Sequence, residues 1–163
     1  FAYEWSSIEP DIMGIAKGLG GGFPVGAILL NDEVAFGMVP GTHGSTFGGN
    51  YLATKVAEAV LKEISNPSFL YNVIFLGDFI KKELYKFKKK YSNLELEVLG
   101  KGLMLGIKSK VENTILLEEF RDRGLLTVTA ANNVLRLLPP LILKKEEAKI
   151  ALDILDNVFK RLN

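Results

Sequence analysis

The chain contains no cysteine and one histidine, His43, in 163 residues. Without cysteine there are no disulfides and no thiolate chemistry, which suits a reducing compartment and an expected cytoplasmic location. An excess of one charge sign is also missing. Twenty lysines and arginines face 19 acids, for a formal net charge of +1. No broad field therefore points to nucleic acid or an anionic membrane surface. Long apolar runs are absent as well: each is broken by glycine, proline or a charge before it could span a bilayer. The first residues show no basic-then-apolar leader pattern. Internal repeats and low-complexity tracts are lacking too. What remains is 48% hydrophobic and 24% charged, the make-up of a folded globular chain with core enough for one domain or one and a half.

Three segments carry chemistry. The first runs from Asp11 to Gly26 and holds a single lysine, Lys17, at the edge of an apolar run and just before Gly18, Gly20, Gly21 and Gly22. An ammonium in that setting is expected to be partly desolvated, which favours the neutral amine and its attack on a carbonyl. Glycines lack Cβ atoms, so the backbone after the lysine can turn sharply and approach a flat ligand closely. For an arbitrary lysine, the plainer reading is a solvent-facing side chain after a short strand.

The second segment is Gly41-Thr42-His43-Gly44-Ser45-Thr46-Phe47-Gly48-Gly49-Asn50. Small residues and hydroxyls in a turn can offer N–H and O–H donors to a phosphate; a solvated loop leading into a helix has the same composition. The third is Asn132-Asn133-Val134-Leu135-Arg136-Leu137-Leu138-Pro139-Pro140-Leu141. Arg136 is one cation in an apolar, strand-like run. Burying it without an anionic partner is costly. Its planar fork suits a carboxylate through two parallel hydrogen bonds. That partner could be one of the chain's own 19 acids or a ligand.

Taken together, these strings resemble the class III pyridoxal-phosphate aminotransferases. The resemblance implies that Lys17 is the Schiff-base lysine and moves the proton between the substrate Cα and the cofactor's C4′. It implies that Thr46, with Ser45 beside it as a second donor, binds the phosphate of the neighbouring subunit's pyridoxal 5'-phosphate. It implies that Arg136, in its Arg-x-x-Pro-Pro-Leu setting, grips the α-carboxylate of the substrate. A homodimer with shared active sites follows, acting on amino-acid and 2-oxo-acid substrates, with no metal. Tyr51 stands where the family usually has proline, so the loop exit is expected to be less rigid. The string from Gly41 to Gly49 is most similar to the acetylornithine subgroup of arginine biosynthesis. Ornithine, succinylornithine and 4-aminobutyrate specificities are the alternatives, and an aminomutase of the same fold fits the loop less well.

The resemblance implies a fold type I α/β architecture: residues 1–66 as the end of the large cofactor-binding domain, and 67–163 as the small carboxy-terminal α/β domain. It covers the whole sequence, yet matches only the carboxy-terminal portion of a typical member. The aspartate for the pyridinium nitrogen, the phosphate turn and the ring-stacking aromatic are expected to lie outside it. The isolated chain is therefore expected to be inactive. A non-catalytic truncated domain serving folding or association is the rival from another class.

Periodicity supplies the elements. A strand is expected before Lys17, and a buried strand over Val25 to Leu30. A helix follows with Leu52, Val56, Ala59, Val60 and Ile64 on one face, broken at Asn66-Pro67. A longer helix spans about Ser68 to Tyr91, with Val73, Gly77, Ile80, Leu84 and Phe87 inward. Leu94, Leu96 and Val98 alternate as a half-exposed strand. Gly100-Lys101-Gly102 is no dinucleotide turn, because no helix pattern follows it. Asn113-Thr114 should cap a short helix ended by Gly124. Strands over 125–129 and 134–138 precede a last helix over 145–162. The basic run Lys88-Lys89-Lys90 reads as a solvated helix end. His43 reads as a polar loop contact, and Trp5 and Phe47 as packing residues.

Overall fold

The computed structural model describes residues 1–163 and divides into two compact units, Phe1–Asn66 and Pro67–Asn163. In the first unit, β1 (Ile12–Ile15) and β2 (Ala27–Leu30) form a two-stranded antiparallel ladder that pairs Ile12 with Leu30 and Ile15 with Ala27. Asn31 fastens its open end. The side chain caps α1 (Asp32–Ala35) by accepting from the Val34 N–H at 2.9 Å, and its amide donates to Asp11 Oδ1 at 2.7 Å. Asn50 caps α2 (Tyr51–Ile64) in the same way, accepting from the Ala53 N–H at 2.9 Å.

Burial in this unit departs from the expected pattern. Only Leu19 and Ala53 are buried apolar residues there. The β2 run is exposed rather than buried, with Ile28 at 64% and Leu29 at 45%. Two strands and short helices cannot cover both faces of a ladder. For the same reason Leu52, Trp5 and Phe47 are largely exposed, and α2 turns Ala53, Val56 and Val60 inward instead of Leu52 and Ala59.

The second unit is a four-stranded antiparallel sheet in the order β3-β4-β6-β5, with helices on one face. Its elements are α3 (Pro67–Lys90), β3 (Glu97–Lys101), β4 (Met104–Lys108), α4 (Asn113–Arg121), β5 (Val128–Ala130), β6 (Val134–Leu137) and α5 (Lys145–Leu162). The two-residue alternation of the strands sends Leu105, Ile107, Leu135 and Leu137 toward the helices. There they meet Leu76, Ile80 and Leu84 of α3, Leu116 and Phe120 of α4, and Leu155, Val158 and Phe159 of α5. Phe159 stands edge-on to both Phe87 and Phe120, at centroid distances of 6.0 and 5.8 Å. Such pairs add roughly 0.5–1.5 kcal/mol beyond the area they bury.

Local chemistry shifts three boundaries. Leu94 closes a 3-10 turn (Ser92–Leu94) and Glu95 adopts a left-handed backbone, so the strand begins at Glu97. Asn113 is the first residue of α4 rather than its cap, and its side chain is used elsewhere. The strand expected from Leu125 starts at Val128. Gly100 and Lys101 end β3 and Gly102 opens the β3–β4 hairpin turn; a Cβ on Gly100 would lie 2.1 Å from the Met104 carbonyl oxygen.

Candidate active site

Lys17 follows β1 after one extended residue, Ala16, and opens a 3-10 turn (Lys17–Gly20). The turn is held by the Leu19 N–H donating to Ala16 O at 3.1 Å and the Gly21 N–H to Gly18 O at 3.2 Å. Lys17 has φ +52°, a left-handed backbone that lysine adopts only at a cost. Strain of this kind collects where a side chain is held for a purpose. The glycines behind it have distinct roles. A Cβ on Gly20 would lie 2.9 Å from Val25 Cγ1, so that position must be bare, whereas Gly18 and Gly22 have nothing within 4 Å of theirs. Open space therefore lies beside the backbone just after Lys17. The Lys17 side chain is exposed, so burial within this chain does not provide the desolvation expected of it. The residues before it alternate in and out of a thin ladder and cannot enclose it.

Ser45 and Thr46 lie in the turn that leads to Asn50 and the amino-terminal end of α2. The turn is closed by Gly48 N–H donating to Ser45 O at 3.2 Å and by Asn50 Nδ2 donating to Phe47 O at 2.9 Å. Both hydroxyls are exposed, and neither bonds within the chain. They remain available as donors near the positive end of a 14-residue helix. Tyr51 is the first residue of that helix and 92% exposed.

Arg136 sits on β6 between Gly106 of β4 and Val128 of β5, on the sheet face away from the helices. It is half-buried and forms no ion pair or hydrogen bond within the chain. On that face Glu97 is already matched to Lys108, at 3.8 Å. The alternative of an internal ion pair for Arg136 is thereby removed. Gly106 leaves the cross-strand position beside it bare: a Cβ there would lie 2.9 Å from Val134 Cγ1.

Lys17, Ser45 and Thr46 belong to the first unit and Arg136 to the second. A surface depression lined by Asp78, Lys81, Lys82, Tyr85, Lys86 and Lys89 lies along α3 and includes none of the four. No group of three or more His, Cys, Asp or Glu side chains could hold a metal ion. Sequence reasoning overlooked a polar cluster formed by Ser109, Asn113 and Asn133. The signal was present: two consecutive asparagines between strand-like runs mark a hairpin turn with positive φ.

The family profile described as Aminotransferase class-III matches residues 1–159. The chain belongs to the class III aminotransferases. It is 46% identical over all 163 residues to an acetylornithine aminotransferase from Brucella melitensis, of which it spans 40%. Among solved structures, the acetylornithine aminotransferase of Elizabethkingia anophelis superposes with a TM-score of 0.88 at 32% identity, covering 98% of this chain and 43% of that one. The ornithine delta-aminotransferase of Plasmodium falciparum gives 0.85 at 33% identity, over 98% and 41%. The chain thus spans about 40% of the length of the curated relatives it matches. Its fold is that of the fold type I pyridoxal-phosphate transferases, and class III aminotransferases depend on that cofactor.

Proposed function

We propose that the protein carrying this chain transfers the amino group of N-acetylornithine to 2-oxoglutarate, a step of arginine biosynthesis, as a cytoplasmic homodimer. The observation that carries this reading is Lys17: one amine on a strained left-handed residue, followed by Gly18 and Gly22, where a Cβ would meet nothing within 4 Å. The residues present fit pyridoxal 5'-phosphate. A primary amine can attach its aldehyde, the bare backbone at Gly18 and Gly22 admits a flat ring, and the unbonded hydroxyls of Ser45 and Thr46 suit a phosphate. When bound, the cofactor supplies the electron sink for carbanion chemistry.

The chain's own residues do the rest. Lys17 Nζ would hold the cofactor, and its amine would carry the proton taken from the substrate Cα. Arg136 takes the α-carboxylate through its two-pronged fork and so orients the Cα. Its lack of an internal acid leaves that fork available. Thr46, with Ser45 second, serves the phosphate held by a partner subunit. On this reading residues 1–66 belong to the large cofactor domain and 67–163 form the small domain.

The substrate assignment draws support from the acetylornithine aminotransferases at 40–46% identity. An ornithine specificity is the second reading, kept open by the 33% identity to the Plasmodium ornithine delta-aminotransferase. The test is glutamate formation from 2-oxoglutarate by the protein carrying this chain, with N-acetylornithine, ornithine, succinylornithine and 4-aminobutyrate as competing donors. N-acetylornithine should give the highest kcat/KM. Lys17→Ala should remove the visible absorbance of the lysine-attached cofactor and nearly all turnover. An unchanged spectrum in that variant would assign attachment to another lysine.

A further inference from the structure

Arg136 is held at one end by a hairpin turn, and that turn is fixed by side chains with no role in the reaction described above. The turn between β5 and β6 is Ala131-Asn132-Asn133, and both asparagines have φ +59°. Asparagine tolerates that backbone better than most residues, which accounts for the doublet. Asn133 goes further. Its Oδ1 accepts from the Asn113 N–H at 2.7 Å, and its Nδ2 donates to Ser109 O at 2.7 Å and Val111 O at 3.0 Å. Asn113 answers from the other side, its Nδ2 donating to Ala130 O at 3.0 Å and Val134 O at 3.1 Å. Ser109 is buried and donates its hydroxyl to Leu94 O at 2.9 Å.

Two asparagine amides thus fasten both ends of the turn to the β4–α4 connection. Val134, bonded through its carbonyl, lies two residues before Arg136. Strand pairing has a period of two residues, so a one-residue slip of β6 would send Arg136 to the helix-covered face and Leu135 out of the core. Burial of Leu135 and Leu137 sets the register of β6, but the strands themselves are short, β5 three residues and β6 four, so the turn bonds act on a large share of the hairpin. We infer that Asn133, supported by Asn113, is a positioning residue: it fixes the place of β6 and thereby the guanidinium of Arg136 for the substrate carboxylate. This rests on the carboxylate role proposed for Arg136.

The test compares Asn133→Gly, Arg136→Lys and the double variant in the protein carrying this chain. Glycine accepts the left-handed backbone, so Asn133→Gly removes the side-chain hydrogen bonds without adding strain. KM for N-acetylornithine and for 2-oxoglutarate should rise by roughly tenfold or more, since a misplacement near 1 Å can cost on the order of 10²-fold. Cofactor affinity should stay unchanged, and the β6 amides of the 163-residue chain should exchange faster with solvent. In the double variant the two effects should not add, because Asn133 acts through the fork that Arg136→Lys has removed. If Asn133→Gly does not fold, Asn113→Ala, which loses only the side-chain bonds to Ala130 O and Val134 O, should move KM in the same direction. A lowered melting temperature with unchanged KM, or full additivity, would overturn the role of Asn133. If Arg136→Lys itself leaves both KM values unchanged, Arg136 does not bind the carboxylate. If Arg136→Lys raises KM and Asn133→Gly does not, Arg136 stands and the positioning role falls.

Discussion

Asp156 on α5 accepts from Lys90 Nζ at 2.8 Å and from the Tyr91 hydroxyl at 2.7 Å, tying the end of α3 to the last helix. Its partial burial acts to raise the carboxyl, but the hydrogen bonds from Lys90 and Tyr91, with the charge of Lys90, outweigh that and hold it below the ordinary carboxylate value. Lys90 is raised in turn, chiefly by its hydrogen bond to Asp156. The depressed carboxyl contributes stability that is present above the unfolded aspartate value, near 3.9, and is lost as pH falls through the folded one. Asp156→Asn should therefore destabilise the chain at pH 7, and the gap to wild type should shrink as pH drops below about 4. Urea unfolding of both proteins at pH 7 and pH 3 checks this; a gap that widens in acid would contradict the linkage. Lys17 stands in contrast, because its left-handed backbone costs roughly 1–2 kcal/mol and no hydrogen bond of its side chain repays it. Strain without local compensation at the one lysine beside open glycine backbone is what separates it from an ordinary surface lysine.

Among the helices, α3 shows how an element can depend on a missing side chain. Gly77 lies on its buried stripe with Leu76, Ile80, Leu84 and Phe87, where a Cβ would stand 2.5 Å from the Gly102 carbonyl oxygen. Glycine costs helix stability relative to alanine in isolation, about 1 kcal/mol. Here the close passage of the β3–β4 hairpin reverses that preference. Gly77→Ala should lower stability by about 1–3 kcal/mol, the usual scale of overpacking, measured by chemical denaturation. A gain of stability would mean the hairpin can withdraw at no cost. The α5 pattern was legible in large part: Ala148, Leu155, Val158 and Phe159 recur at helical spacing and are all buried, whereas Leu152, also buried, was not expected and Ala151, Ile154 and Leu162 are only partly covered. The β2 pattern misled, because an apolar run predicts burial only where something covers it.

For the whole molecule, the contrast between the two units matters most. Pro67–Asn163 has a continuous core, whereas Phe1–Asn66 exposes Ile12, Ile28, Phe36, Phe47, Tyr51 and Leu52. Apolar surface on that scale is what further chain or a partner would cover, and the proposed dimer is tested by exchange of site residues. If Thr46 serves the partner's cofactor while Lys17 serves its own subunit's, Lys17→Ala and Thr46→Ala each damage both sites of a homodimer. A mixed dimer of the two collects both defects in one site and leaves the other intact. Co-expression with different tags, isolation of the heterodimer and assay should recover about half the wild-type activity, as two-fold exchange of site residues requires. No recovery, with dimerisation confirmed and the Thr46 variant clearly impaired, would place Thr46 in its own subunit's site or outside the pocket.

The helices, the strand alternation of the second unit and the three chemistry-bearing strings were legible in the order of residues, since periodicity and local backbone preference are properties of neighbours along the chain. The lysine-glycine string, the Ser45-Thr46 turn and the arginine before two prolines could each be found without coordinates. Other features depended on residues distant in sequence. The bare carbonyl contact at Gly77 comes from a hairpin 25 residues on, and the exposure of Lys17 and β2 comes from the thinness of their unit. The absence of an internal acid for Arg136 and the clamp of Asn133 on Ser109 and Asn113 likewise follow from which strands pair and which loops meet. Hydrogen-bond partners and enclosure are set by the packing of separate segments, and no local pattern encodes them.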